Sequence, residues 1–258
     1  MVAAATVTDA RGIATVHALH QAAQVLGQPA THPVLVVLHV LSLPLAWWKP
    51  RATMWLVALL GVAQCVLAFP RTGNHLYLGV VVSLLIALLD DDRDELLAVV
   101  LISFVWSGIH KAVHGLWFHA ETLAWLAVSR ADISAVLRPF LSDADAMRLG
   151  ALSRVTEGSG PFVLGGAWLI ISNAVWVSEI AMGALWWPGW RRFARPVSLA
   201  LIWSVQLVAH EWEFALLLTN MLVTSPRARW LVGCGVLLLA ALRLGVIPAP
   251  YWALHTPS

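Results

Sequence analysis

Phe104-Val105-Trp106-Ser107-Gly108-Ile109-His110-Lys111 is the stretch on which the reading of this chain turns. It runs through strongly apolar residues and ends on an ammonium group. A lysine placed in a membrane span costs about 3 kcal/mol on insertion scales, and is a functional-site candidate by default. Burial in low dielectric also makes any lysine a better base. The competing reading is a lysine near a helix end whose stem reaches back to the headgroups.

The rest of the chain supports a membrane setting. Of 258 residues, 60% are hydrophobic and 12% charged, with mean hydropathy +0.78. Repeated apolar runs in such a composition predict an all-α, polytopic integral membrane bundle. The net charge of +2 argues against nucleic acid as a partner. Cys65 and Cys234 lie in apolar runs and read as small core residues rather than a disulfide or metal framework. No continuous apolar h-region stands near the N-terminus, so no cleavable signal peptide is expected. Among fifteen tryptophans, Trp47-Trp48 and Trp186-Trp187 suit an interfacial belt, whereas Trp106, Trp176 and Trp203 fall mid-span.

Residues 10–26 are mildly amphipathic, so 1–29 reads as an N-terminal interfacial segment, broken by Pro29 and Pro33. Residues 30–250 read as one transmembrane domain. Seven spans are expected near 34–48, 53–69, 75–89, 96–118, 162–187, 196–222 and 230–247, with six to eight possible and the first short enough to be re-entrant. Residues 119–161 read as a surface-helical insertion. Its amphipathic pieces are Ala120 to Val128, Asp132 to Leu141 and Asp143 to Leu152, and Gly158-Ser159-Gly160-Pro161 closes it. Lys49, Arg51, Arg93, Arg191, Arg192 and Arg195 fall on one side of this model. Arg11, Arg71, Arg227 and Arg229 fall on the other, which faintly makes the first side cytoplasmic.

At 1.5 Å per residue, Lys111 lies about 22 Å along its span and His210 about 21 Å along its own, both toward the side on which His75 opens the third span. Three polar side chains from three spans thus reach similar depth. His110, His114, Glu211 and Glu213 are at neighbouring levels, and Asn173 is mid-span. A proton-handling site fits, with lysine as base and histidines to orient or relay. Singly, each histidine also reads as a packing or interfacial residue. His110 and His114 are i,i+4 neighbours and a possible ligand pair, without an obvious third partner. Asp90, Asp91 and Asp94 spell D-D-x-x-D, a pattern suited to Mg²⁺ held against a diphosphate. A solvated acidic loop is the plainer reading. Asp94 also lies about 25 Å from Lys111 along one helix.

Asn74-His75-Leu76-Tyr77-Leu78, Gly108-Ile109-His110-Lys111 and the late His210 with Glu213-Phe214 resemble the membrane core of vitamin K-dependent γ-carboxylase and its bacterial relatives, the HTTM (horizontally transferred transmembrane) domain proteins. Order and spacing match over residues 30–235. The resemblance implies that Lys111 is the base acting on a quinol, that His75 stands beside that site, and that His210 matches the late-span histidine more loosely. The carboxylase also carries a large lumenal region after its spans. Here no lumenal β domain is expected, and so no protein γ-carboxylation by that family's route.

Three functions follow as expectations. The first is a membrane-embedded isoprenoid-processing enzyme, a noncanonical terpene cyclase acting on farnesyl or geranylgeranyl diphosphate. Lys111, His75 and His210 would be catalytic; Asn74, Trp106, Trp176, Trp203, Glu211 and Glu213 would line the substrate; Asp90, Asp91 and Asp94 would hold Mg²⁺. The second is a quinol-dependent oxygenase or carboxylase acting on a small or peptide substrate. The third is a membrane factor for maturing a secreted peptide. The expected location is the bacterial plasma membrane, with the lipid bilayer and an isoprenoid lipid as partners. Oligomeric state is not legible in the sequence.

Overall fold

The computed structural model describes residues 2–26, 32–69, 74–89, 93–152, 163–209 and 211–247. Regular structure among them is entirely helical: α1 (Val2–Leu26), α2 (Pro33–Trp48), α3 (Pro50–Ala68), α4 (Asn74–Leu88), α5 (Arg93–His114), α6 (Glu121–Ser129), α7 (Ala131–Leu137), α8 (Asp143–Leu152), α9 (Gly166–Ala181), α10 (Arg191–Ala209), α11 (Trp212–Leu222) and α12 (Pro226–Arg243). Three stretches among the described residues are long and apolar enough to cross a membrane: Pro50–Ala68, Asp94–His114 and Gly166–Trp186. The apolar helices Pro33–Trp48 and His75–Leu88 are shorter. Asp90, Asp91, His210 and the Gly158–Pro161 break lie outside the described residues.

The chain divides into two compact units, Met1–Leu97 with Glu211–Ala249, and Ala98–His210 with Pro250–Ser258. In the first unit α1 touches α2, α3, α4, α11 and α12. Its placement differs from the surface helix that its pattern suggested. Ile13, Ala14, Val16, Ala18, Ala22, Ala23 and Val25 are buried, and so are His17, His20, Gln21 and Gln24. The alanines keep the helix thin enough to be surrounded. Two of the polar residues, His17 and His20, find partners inside. His17 Nε2 lies 2.8 Å from the Ser83 hydroxyl and 3.2 Å from the Gly79 carbonyl. A Cβ at Gly79 would sit 2.3 Å from the Gln21 amide nitrogen, so a larger residue there would displace the Gln21 side chain.

Two local rules set the helix boundaries. Pro33, Pro50 and Pro226 each open a helix, where a missing N–H costs nothing and φ is already helical. Ser225 caps α12 by accepting from the Ala228 N–H. The single span expected at 196–222 is instead two helices that belong to different units. α10 ends at Ala209, and α11 starts afresh with Glu211 at its N-cap and Glu213 in its first turn. Carboxylates at a helix start meet the positive end of its dipole, which favours a new N-terminus over continuation.

In the second unit the insertion folds as three short helices, α6 to α8, close to the amphipathic pieces of the sequence. Leu123, Ala127, Ile133, Leu137 and Leu149 close on Leu164 and Trp168 as a small core of their own. Trp168 Nε1 donates to the Phe140 carbonyl at 3.1 Å. α8 opens on a cap in which the Ser142 hydroxyl accepts from the Asp145 N–H at 3.1 Å, and Arg148 donates to the Asp145 carboxylate at 2.7 Å. Burial alone would raise the Asp145 pKa, but the hydrogen bonds from Arg148 and Ser142 outweigh it and hold the carboxyl below its usual range. A depressed carboxylate stabilises the fold above its unfolded pKa, about 3.9, and the contribution disappears as pH falls through the lowered value. Protection of the 143–152 amides from hydrogen exchange, taken against the intrinsic rate at each pH, is therefore expected to fall below about pH 4 in the native chain. Ser142→Ala, which removes the cap at a cost of about 1 kcal/mol, should already show quickened exchange at neutral pH. Unchanged exchange in both conditions contradicts this cap.

Candidate functional site

Lys111 lies in the last turn of α5, which stops at His114. Gly115 takes the left-handed conformation, with φ +70°, and its N–H bonds the Lys111 carbonyl at 3.1 Å. This is the expected glycine C-cap. The chain then turns through Leu116 to Ala120, and α9 pins that turn from the side. Ser172 donates to the Trp117 carbonyl at 2.7 Å, and Asn173 Nδ2 to the Phe118 carbonyl at 3.0 Å. Trp176 Nε1 donates to Asn173 Oδ1 at 3.0 Å, and its ring meets Phe118 edge-on at 5.6 Å. Asn173, expected only as a mid-span polar group, is a clamp.

The pinned turn places Trp117 under the lysine, with Nζ 4.8 Å from the ring centroid. Nζ donates to Glu179 Oε1 of α9 in an ion pair. Lys111 is half-buried, and Glu179 is only 4% exposed. The second carboxylate oxygen, Oε2, is buried and has no hydrogen-bond partner. The lysine is thus one half of a pair, and the open position belongs to the carboxylate. Such a pair beside aromatic faces can take a proton from an apolar substrate and stabilise transient positive charge. Glu179 is the one acidic residue in Gly166–Trp186. The rule that flagged Lys111, that ionisable residues within a span are costly, would have flagged it too.

α5 and α9 come close at Gly108, three residues before the lysine. A Cβ at Gly108 would lie 2.7 Å from the Trp176 carbonyl oxygen and 2.9 Å from the Ile180 nitrogen. That glycine sets the spacing at which Lys111 reaches Glu179.

The other sequence candidates are placed differently. Trp106 is 68% exposed on α5 and faces outward, so it does not line a pocket. Trp203 is also exposed, and of the three mid-span tryptophans only Trp176 belongs to the Lys111 cluster. The His110 and His114 rings lie 4.2 Å apart, tilted by 54°, and both residues are exposed. Among the described residues no three His, Cys, Asp or Glu side chains group closely enough to hold a metal ion. Asp94 is exposed in the first turn of α5.

His75 belongs to the first unit, and Lys111 to the second. The His75 ring is 6.3 Å from Phe214. Close to Phe214 along α11 is a second polar group that the sequence reading assembled only in part. Glu213 pairs with Arg243 of α12, and its carbonyl lies 2.9 Å from His20 Nε2. Glu211 is exposed at the start of α11. Asn74 opens α4. Compared with family models, curated proteins and solved structures, the chain finds no match in any of the three.

Proposed function

We propose that this chain is a membrane-embedded enzyme that processes an isoprenoid lipid, a terpene cyclase acting on a prenyl diphosphate, with Lys111–Glu179 as its proton-transfer pair. The observation that carries this reading is the buried, unpartnered Oε2 of Glu179 beside Lys111 and Trp117. A cyclisation ends when a carbocation loses a proton from a neighbouring carbon. The C–H electrons become the new double bond, and the proton needs an acceptor. Glu179 Oε2 is that acceptor, Lys111 holds the carboxylate in place, and Trp117, Trp176 and Phe118 offer π faces to the cation. We further propose a multi-pass protein of the bacterial plasma membrane, with about seven spans in all.

Membranes containing the chain, incubated with farnesyl or geranylgeranyl diphosphate and Mg²⁺, are expected to yield hydrocarbon or alcohol products. Mg²⁺ is supplied because Asp90, Asp91 and Asp94 spell a magnesium-type pattern. No product from either substrate rejects the cyclase reading. A second reading, quinol deprotonation, is favoured by the about 25 Å that separates Asp94 from Lys111 along α5, since it needs no acidic loop. Its signature is quinol-dependent oxygen uptake that Lys111→Ala abolishes.

A further inference from the structure

In the first unit, α2 turns Val34, Val37 and Leu41 outward and His39 and Ser42 inward. On α1, His17, His20, Gln21 and Gln24 follow the i, i+3, i+4, i+7 spacing of one helix face, and none is more than 3% exposed. A soluble domain has the opposite arrangement. In a membrane bundle, interior histidines of this kind mark proton and ion pathways.

The hydrogen bonds fix which ring nitrogens carry protons. A carbonyl oxygen only accepts, so His20 Nε2, 2.9 Å from the Glu213 carbonyl, donates. The Ser83 hydroxyl donates to the Gly79 carbonyl at 2.8 Å, so its oxygen accepts from His17 Nε2 at 2.8 Å. Each ring then presents a lone pair at Nδ1. That of His20 faces the Gln21 amide nitrogen at 3.4 Å. That of His17 is buried and has no partner. Both ring nitrogens of His39 and both amide atoms of Gln24 are buried without partners too. α1 and α2 pack together, and His17 and His39 interact electrostatically. Orphaned groups of this kind need a ligand that both donates and accepts in little space, and water is the smallest. None of them is a carboxylate or an ammonium, which favours a neutral ligand.

The polar face opens toward one end. Glu213 and Arg243, which pair beside His20, have side chains that are each 15% exposed. Toward the other end Ala14, about one turn before His17, packs with Ala46, Met54, Val57 and Ala87 in an apolar cluster. Such a cluster offers no hydrogen bond to carry a proton onward.

We propose that this interior is a hydrated proton relay, entered from the Glu213–Arg243 end and closed beyond His17. Water bound at His17 Nδ1, Gln24 and His39 is its medium. A proton from that water forms an N–H bond at Nδ1 of His17, and the N–H bond at Nε2 breaks as its proton passes to the Ser83 hydroxyl. One proton moves and no electrons are exchanged. The relay is independent of the Lys111–Glu179 reading and of the cyclase activity.

The test is imidazole N–H exchange in the isotope-labelled full chain, read by solid-state NMR in phosphatidylcholine liposomes moved into heavy water. The His17 and His39 N–H signals are expected to vanish within minutes, while the amides of Ala14, Ala18 and Ala22 on α1 stay protected for hours. His39→Leu, and separately Gln24→Leu, should slow exchange at His17 about tenfold or more, as expected for losing a hydrogen-bonding site for water. The exposed His32 should exchange equally fast in all three chains. Ring signals as long-lived as those amides in the native chain mean a dry core and overturn the relay. Equally rapid loss from rings and amides means that the bundle opens, and overturns it too. So does unchanged exchange at His17 in both variants. The same liposomes should hold a pH gradient, and its dissipation by the native chain would overturn the closed end.

Discussion

Lys111→Ala is expected to abolish product formation and to destabilise the chain by about 3–5 kcal/mol, because it strands a buried carboxylate. Glu179 is 4% exposed, and one of its oxygens already lacks a partner. Removing Lys111 leaves both oxygens without their cation in a place that water does not reach. Replacing both members separates the two effects. A buried ion pair exchanged for apolar side chains of similar size is often neutral or stabilising. Lys111→Met with Glu179→Leu should therefore recover much of the Tm in detergent and none of the activity. Native stability in Lys111→Ala contradicts the buried pair. Activity in the double variant contradicts its chemical role.

Gly108→Val is expected to be the most damaging single change on α5 that touches no charge. Gly108→Ala should already cost about 2 kcal/mol, within the range for overpacking. Alanine normally favours a helix over glycine by about 1 kcal/mol. Here the added Cβ would meet a carbonyl oxygen at 2.7 Å and a backbone nitrogen at 2.9 Å, and backbone cannot rotate away. The helices must separate. Lys111, less than one turn further along α5, then loses its reach to Glu179, so activity should fall with stability. Gly150→Ala is the matched control, since a Cβ there meets nothing within 4 Å. It should be neutral or slightly stabilising. Equal Tm values for Gly108→Ala and Gly150→Ala would contradict the close approach of α5 and α9.

Much of the helical layout is legible in the sequence, because long apolar runs bounded by proline, glycine and charge read the same way at every position. The expected spans near 34–48, 53–69, 75–89 and 96–118 correspond to α2, α3, α4 and α5. The amphipathic pieces of the insertion correspond to α6, α7 and α8. What misleads is polarity inside the protein. His17, His20, Gln21 and Gln24 look like a wet face and are buried, and Ser83, Gly79 and Glu213 answer the two histidines from distant parts of the chain. The break at Glu211 is hidden for a related reason, since hydropathy averages over the few polar residues that start α11.

The candidate site divides in the same manner. Lys111 and Glu179 are each visible as a charge in an apolar run. Their pairing is not, because it depends on the Gly108 contact and on the Ser172 and Asn173 bonds that hold the 115–120 turn. Trp106 looked like a site residue from its depth alone. A helix position has an angle as well as a depth, and that angle turns Trp106 outward.

The most direct measurement is product analysis with farnesyl diphosphate for the native chain and Glu179→Gln, at matched amounts of folded protein in the same membranes. Glutamine keeps the shape and a hydrogen-bond acceptor for Lys111 but cannot take up a proton. The expected result is a cyclic hydrocarbon from the native chain, and from Glu179→Gln at least a hundredfold less of it, within the range for loss of a general base. An identical rate and product from both would contradict the assignment of Lys111–Glu179 as the proton-transfer pair.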